Sequence, residues 1–285
     1  MLKLPTYLAD RGLVPLQSGK PEQPQNSPLK VLWITGGGEG IGRGIALLAG
    51  ECGARVAITG RDPEPLNSVV AEIEEMGGEA LAVPADVSQA EEVQQAVGTI
   101  IKHWQQSDSV CANAGTNGTW APVDQLSPEE WSTTLAVNLT GTFLAIHYAV
   151  PYLRQSGSSS ILIMSSVNGT RMFSNVGASA YATSKAGQPA LGQMLALELA
   201  PARIRVKVIC PGAIESNIHE KTERQYVKEL DASVEFPDGK IPLSDGAMGT
   251  PRQVAQLAVF LASDLASYIT GTPVWIDGAQ SLLQG

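Results

Sequence analysis

The chain has 285 residues, 44% hydrophobic and 16% charged, which fits one large or two smaller globular domains and excludes a disordered polymer. With 19 Lys and Arg against 28 Asp and Glu, the net charge of −9 argues against a nucleic-acid surface, and no apolar run approaches the ~20 residues of a membrane helix. The cysteines, Cys52, Cys111 and Cys210, are odd in number and lack metal spacing, so the expectation is buried thiols, no metal site and a reducing, cytoplasmic setting.

Residues 1–28 carry scattered prolines and little periodicity, and read as a flexible extension ending in a linker, without the apolar stretch of a signal peptide. The run Leu29 to Ile34 suits a buried parallel strand. A glycine-rich turn follows, Thr35-Gly36-Gly37-Gly38-Glu39-Gly40-Ile41-Gly42, and then apolar residues at helical spacing. A strand-to-helix turn of this kind aims backbone N–H groups and the helix dipole at one point, which suits a pyrophosphate. Further strands are predicted at Arg55–Thr59, Ala80–Pro84, Ser109–Ala112, Ser160–Met164, Arg205–Ile209 and Pro273–Ile276. Helices are predicted at Pro63–Met76, Ala90–Trp104, Pro128–Arg154, Ala178–Ala200 and Pro251–Ser263. This alternation predicts a single α/β doubly wound Rossmann-type domain over 29–285, its parallel sheet covered by helices on both faces.

Polar groups fall where the strands end: Asp86-Val87, Asn113-Ala114-Gly115, Ser165-Ser166 and Pro211-Gly212. Tyr181 and Lys185 stand four apart, on one face if the segment is helical, and read as an acid/base pair. A unit charge at ~4 Å in an effective dielectric of ~20 is worth up to about 4 kcal/mol, so the ammonium is expected to draw the phenol toward working pH.

On these residues the chain resembles the short, single-domain branch of the short-chain dehydrogenase/reductase family, from about Leu29 to Gly285. The family's glycine motif falls on Thr35, Gly36, Gly40 and Gly42, its next motif on Asn113-Ala114-Gly115, and its helix asparagine on Asn138. Its serine falls on Ser166, with Ser165 left open as the alternative, and its tyrosine and lysine on Tyr181 and Lys185. The resemblance implies hydride transfer between a nicotinamide and a carbonyl or alcohol carbon. Tyr181 would be the acid/base, Ser166 would hold the substrate oxygen, Lys185 would hold the nicotinamide ribose, and Asn138 would organise a water chain. It implies further cofactor contacts from Gly38, Glu39, Ile41, Asp86, Val87, Asn113, Ala114, Gly115, Pro211, Gly212 and Ile214.

The identity of the dinucleotide turns on two positions. Gly60 stands where NAD-preferring relatives have an acid, and Arg61 beside it could pair with a 2′-phosphate. Glu39 stands where many NADP users carry a base, and Asp62 or Glu39 could neutralise Arg61; NADP(H) is slightly favoured over NAD(H). The segment 213–250 is expected to be a substrate lid, within which His219 and Arg224 could meet an anion. Trp120 and Met172 are pocket walls or core. Pro189 is expected to kink the catalytic helix, and Lys207 to reach an edge or an interface. The resemblance implies a homotetramer with a small carbonyl or alcohol substrate, no nucleic acid and no membrane. The rivals are a non-catalytic redox sensor, which has no use for Ser166, Tyr181 and Lys185, and an epimerase or dehydratase on the same scaffold.

Overall fold

A computed structural model of the protein describes residues 31–216, 222–227 and 241–284. The extension expected at 1–28 and parts of the expected lid, including His219, lie outside the described residues. The first half of the sheet is built from β1 (Val31–Thr35), β2 (Arg55–Thr59), β3 (Glu79–Ala82) and β4 (Ser109–Ala112), separated by α1 (Gly40–Glu51), α2 (Pro63–Glu75) and α3 (Ala90–Trp104). A two-residue strand β5 (Thr119–Trp120) precedes α4 (Pro128–Leu135) and α5 (Gly141–Leu153). The second half holds β6 (Ser159–Met164), α6 (Ser179–Leu199), β7 (Ile204–Pro211), the short β8 (Glu223–Arg224), α7 (Pro251–Ala262), β9 (Thr272–Ile276) and α8 (Gln280–Gln284).

Seven strands form one sheet in the order β3-β2-β1-β4-β6-β7-β9, every pair parallel. Alternation along the strands loads both faces, as the pleat requires. Val31 and Trp33 of β1 pack with α3, α5 and α6, while Leu32 and Ile34 pack with α1, α2 and α7. The order reverses between β1 and β4, and such a switch point is where doubly wound sheets open a crevice at their carboxyl ends.

The helix starts obey local chemistry. Asp62 caps α2 by accepting from the Glu64 N–H at 3.1 Å, and Ser127 with Glu130 and Thr250 with Gln253 form capping boxes on α4 and α7. The single helix predicted over Pro128–Arg154 is instead two α-helices joined by a π-helical turn, Ala136–Thr140, which carries Asn138 inward.

Lys207 does not reach an edge or an interface. It is fully buried on β7, between β6 and β9, and its amine donates to Ser160 Oγ at 3.0 Å and to Leu261 O at 2.7 Å. Arg205, on the same face, donates to Leu261, Ala262 and Ala266 carbonyls at 3.1–3.2 Å. The guanidinium and the amine thereby cap the buried carboxyl end of α7, whose last carbonyls lack helix partners. Burial, reinforced by the neighbouring Arg205 and opposed by Asp264, pushes the Lys207 amine down to about 6.

A lysine depressed when folded and ordinary (~10.4) when unfolded leaves the unfolded chain holding more protons between those values, so stability rises with pH there. Urea unfolding is expected to show a gain of about 2 kcal/mol from pH 6 to pH 8. Lys207→Met should lose more than half of that gain, and an unchanged pH slope in the variant would show that Lys207 does not carry it.

Candidate active site

The glycine turn is fixed at the switch point by reciprocal bonds. Thr35 Oγ1 accepts from the N–H groups of Asn113 and Ala114, both at 3.0 Å, and Asn113 Nδ2 donates to Thr35 O at 2.9 Å and Gly36 O at 3.1 Å. The Asn113 amide nitrogen therefore shapes the loop. Gly36 and Gly40 adopt φ of +67° and +52°, where glycine is favoured. A Cβ on Gly42 would lie 2.0 Å from Gly36 O, so α1 can approach the loop only with glycine there. Glu39, at the N-cap of α1, places no side-chain cap on the helix N–H groups. These features fit a dinucleotide pyrophosphate, with Gly38, Gly40, Ile41 and Gly42 presenting backbone to it.

Farther along the same edge, Arg61, Pro84, Ala85, Asp86 and Glu92 line a pocket of about 320 Å³. Its carboxylates have local partners: Asp86 Oδ1 accepts from the Ser88 N–H and hydroxyl, and Glu92 Oε2 from the Asp86 N–H. Asp62 is engaged as the α2 cap, and among the described residues Arg61 makes no ion pair. Val87 packs against Gly141, which leaves Asp86 at the pocket.

At the ends of β6 and β7 the reacting groups assemble. Tyr181 and Lys185 lie on α6, with the Lys185 amine 5.7 Å from the Tyr181 ring centroid, and the Ser166 hydroxyl is near enough to the Tyr181 phenol to draw its pKa down. Ser165 faces elsewhere: its hydroxyl donates to Lys185 O at 2.7 Å. Ser166 is thus the serine beside the phenol. Its hydroxyl also accepts from the Asn168 N–H at 3.1 Å. The Lys185 amine donates to Met164 O at 2.8 Å and is pushed down to about 8 by burial, with Cys210 opposing. The expected pull of Lys185 on Tyr181 is not the dominant influence. Burial raises the phenol above its ordinary value, and the Ser166 hydrogen bond only partly offsets it.

Asn138 is wholly buried. Its side chain accepts from the Thr116 N–H at 2.8 Å and donates to Thr116 O and Ser184 Oγ, each at 2.9 Å. Its carbonyl already accepts two bonds, from Thr142 Oγ1 at 2.7 Å and Gln188 Nε2 at 2.9 Å. In this geometry Asn138 braces the loop after β4 against α6, and its side-chain oxygen, which accepts one bond, keeps a second acceptor position. Gly115 sits over this brace, where a Cβ would stand 3.4 Å from the Lys185 amine. Thr116, Ser184 and Gln188 were not singled out in the sequence, because a buried bracing role has no local signature.

The β7 end is held by β9 and α8. Gly212 N–H donates to Ile276 O at 3.0 Å, Ala213 N–H donates to Gln280 Oε1 at 2.8 Å, and Pro211 O accepts from the Val167 N–H at 2.9 Å. Ile214 is buried and bridges to Gly249. The described part of the expected lid is docked: β8 pairs in parallel with β5, and Asn117 Nδ2 donates to Thr222 Oγ1 at 2.6 Å. Arg224 lies 5.1 Å over the Trp120 ring, and both Trp120 and Met172 are buried.

A family profile described as Enoyl-(Acyl carrier protein) reductase matches residues 36–279. Glucose 1-dehydrogenase 2 of Bacillus subtilis is 34% identical over 89% of this chain and 95% of its own length. The 3-oxoacyl-acyl-carrier-protein reductase FabG of Thermotoga maritima is 35% identical over 87% and 96%. The crystal structure of a 3-ketoacyl-ACP reductase from Sinorhizobium meliloti 1021 superposes with a TM-score of 0.85 at 47% identity, covering 89% of this chain and 99% of that one. A parallel sheet with this strand order, a glycine turn at its switch point and sequence kinship across nearly nine-tenths of the chain lead to one family. The chain belongs to the short-chain dehydrogenase/reductase family of NAD(P)-dependent oxidoreductases, which act on CH–OH and C=O groups.

Proposed function

We propose that this enzyme is an NADP(H)-preferring reductase of a small carbonyl compound, or dehydrogenase of the matching secondary alcohol, working as a cytoplasmic homotetramer. The observation that carries the catalytic reading is the buried Tyr181 phenol with the Lys185 amine 5.7 Å from its ring and Ser166 near it. When bound, the nicotinamide supplies or accepts the hydride. Tyr181, kept neutral by burial, holds the proton that a carbonyl oxygen needs on reduction, and removes it from an alcohol in the reverse direction. Ser166 holds the same oxygen and steadies its charge, as a preorganised donor does. Lys185 holds ribose hydroxyls and carries positive charge below about pH 8. Asn138 acts through its brace on Thr116 and Ser184.

The preference for NADP(H) rests on Arg61, which faces the adenosine end of the crevice unpaired among the described residues. Glu39, exposed at the loop, works against it. The tetramer rests on apolar side chains left in water. Met194 and Leu197 of α6 are 70% and 79% exposed, Phe143 of α5 is 47% exposed, and Tyr268 and Leu282 flank the edge strand β9. The relatives' names span a sugar and a carrier-linked 3-oxoacyl group, so a panel of 3-oxoacyl thioesters, sugars and cyclic alcohols is the right screen.

In that screen, with NADPH and NADH side by side, Tyr181→Phe should lower turnover about a thousandfold while the protein stays folded. Undiminished turnover in the variant would remove Tyr181 from the mechanism. Arg61→Ala should weaken NADPH binding about tenfold and leave NADH binding within twofold; equal losses for the two nucleotides would refute a 2′-phosphate contact. Gly42→Ala should weaken both nucleotides more than tenfold in a fluorescence titration, because its methyl displaces Gly36. Gly98→Ala, on the open face of α3 with nothing within 4 Å of its Cβ, should bind as the unaltered protein does.

A further inference from the structure

Pro189 stands one helical turn after Lys185 in the uninterrupted α6 (Ser179–Leu199). In an α-helix the N–H of residue 189 would donate to the carbonyl of residue 185, and proline has no N–H. The Lys185 carbonyl is therefore without its helix partner, and Lys185 is buried, so water does not substitute. The partner comes from the sheet instead. Ser165, itself buried, donates its hydroxyl to Lys185 O at 2.7 Å, while its own N–H is tied to Ile209 O at 2.8 Å. Its neighbour Met164 offers its carbonyl to the Lys185 amine at 2.8 Å. Two consecutive residues at the end of β6 thus grip the two ends of one lysine, and the next residue, Ser166, meets the phenol.

We propose that Ser165 is a positioning residue that supplies the hydrogen bond Pro189 removes from α6, and by doing so sets the place of Lys185 beside Tyr181. This inference rests on the reading of Lys185 as the residue that serves the ribose and the phenol. At Pro189 the missing helix bond is not left open but exchanged for one to the sheet. The Ser165 hydroxyl also draws down the pKa of the Cys210 thiol, which burial raises. A dependence on Ser165 that came from Cys210 would be indifferent to residue 189, which makes the pairing with Pro189 testable.

The test is a double-mutant cycle on the full chain: unaltered protein, Ser165→Ala, Pro189→Ala and the double variant. Three quantities are measured: melting temperature, affinity for NADPH and NADH by nucleotide fluorescence, and the pH midpoint at which nucleotide binding falls. With Pro189 present, Ser165→Ala should lower the melting temperature by about 4 °C and weaken nucleotide binding about fivefold. The pH midpoint should move by about half a unit, a change that loss of a merely structural contact would not cause. With Pro189→Ala, which returns the N–H to α6, the same serine change should move melting by under about 1 °C and affinity by less than about twofold.

Equal losses from Ser165→Ala in both backgrounds would overturn the inference. If Ser165→Ala alone fails to fold while the double variant folds, the inference is supported; if both fail, it is overturned. If neither nucleotide binds the unaltered protein, the cofactor reading falls separately, and the melting temperatures still decide whether Ser165 and Pro189 are coupled.

Discussion

A parallel sheet ends with all its carboxyl termini on one edge, where backbone N–H and C=O groups run out of strand partners and must find others. In this protein those partners are the site itself. Thr35 and Asn113 close the edge between β1 and β4, the Lys185 amine takes the last carbonyl of β6, and Gln280 takes the second N–H beyond β7. Side chains that complete the backbone at the crevice also shape the crevice. The same requirement brings residues from distant parts of the chain together at one edge with little freedom to move independently.

Desolvation is the second influence on the site, and it acts on both members of the acid/base pair. Burial lowers the Lys185 amine to about 8 and raises the Tyr181 phenol, because each group is held in its neutral form by the loss of water. An ammonium at hydrogen-bond range could reverse the second effect. Here it sits 5.7 Å from the ring centroid with Met164 O as its acceptor, and burial wins. The phenol rests as a proton donor, the state a carbonyl reduction starts from.

Much of this was legible in the residues. The alternation of apolar runs with helical periodicity gave the strand and helix order, since both signals are local. The glycine turn stood out because glycine is favoured at the φ of Gly36 and Gly40 and required by the close approach at Gly42. Pro128–Arg154 read as one helix because a π-helical turn costs the pattern a single residue, too little to disturb the periodicity. Lys207 read as an edge residue because a charge in an apolar strand has no buried partner within its own sequence neighbourhood. Its partner is the carboxyl end of a helix 54 residues away.

The sequence by itself determined the fold class, the glycine turn and the Tyr181–Lys185 spacing, because each is written in short periods of two, three or four residues. Tertiary structure alone decided which of two adjacent serines lies by the phenol, which way burial shifts that phenol, and that a serine 20 residues before Lys185 donates to the carbonyl that Pro189 leaves without its helix bond. Those outcomes depend on distances and exclusion of water between segments the chain brings together only when folded, and no local period encodes them.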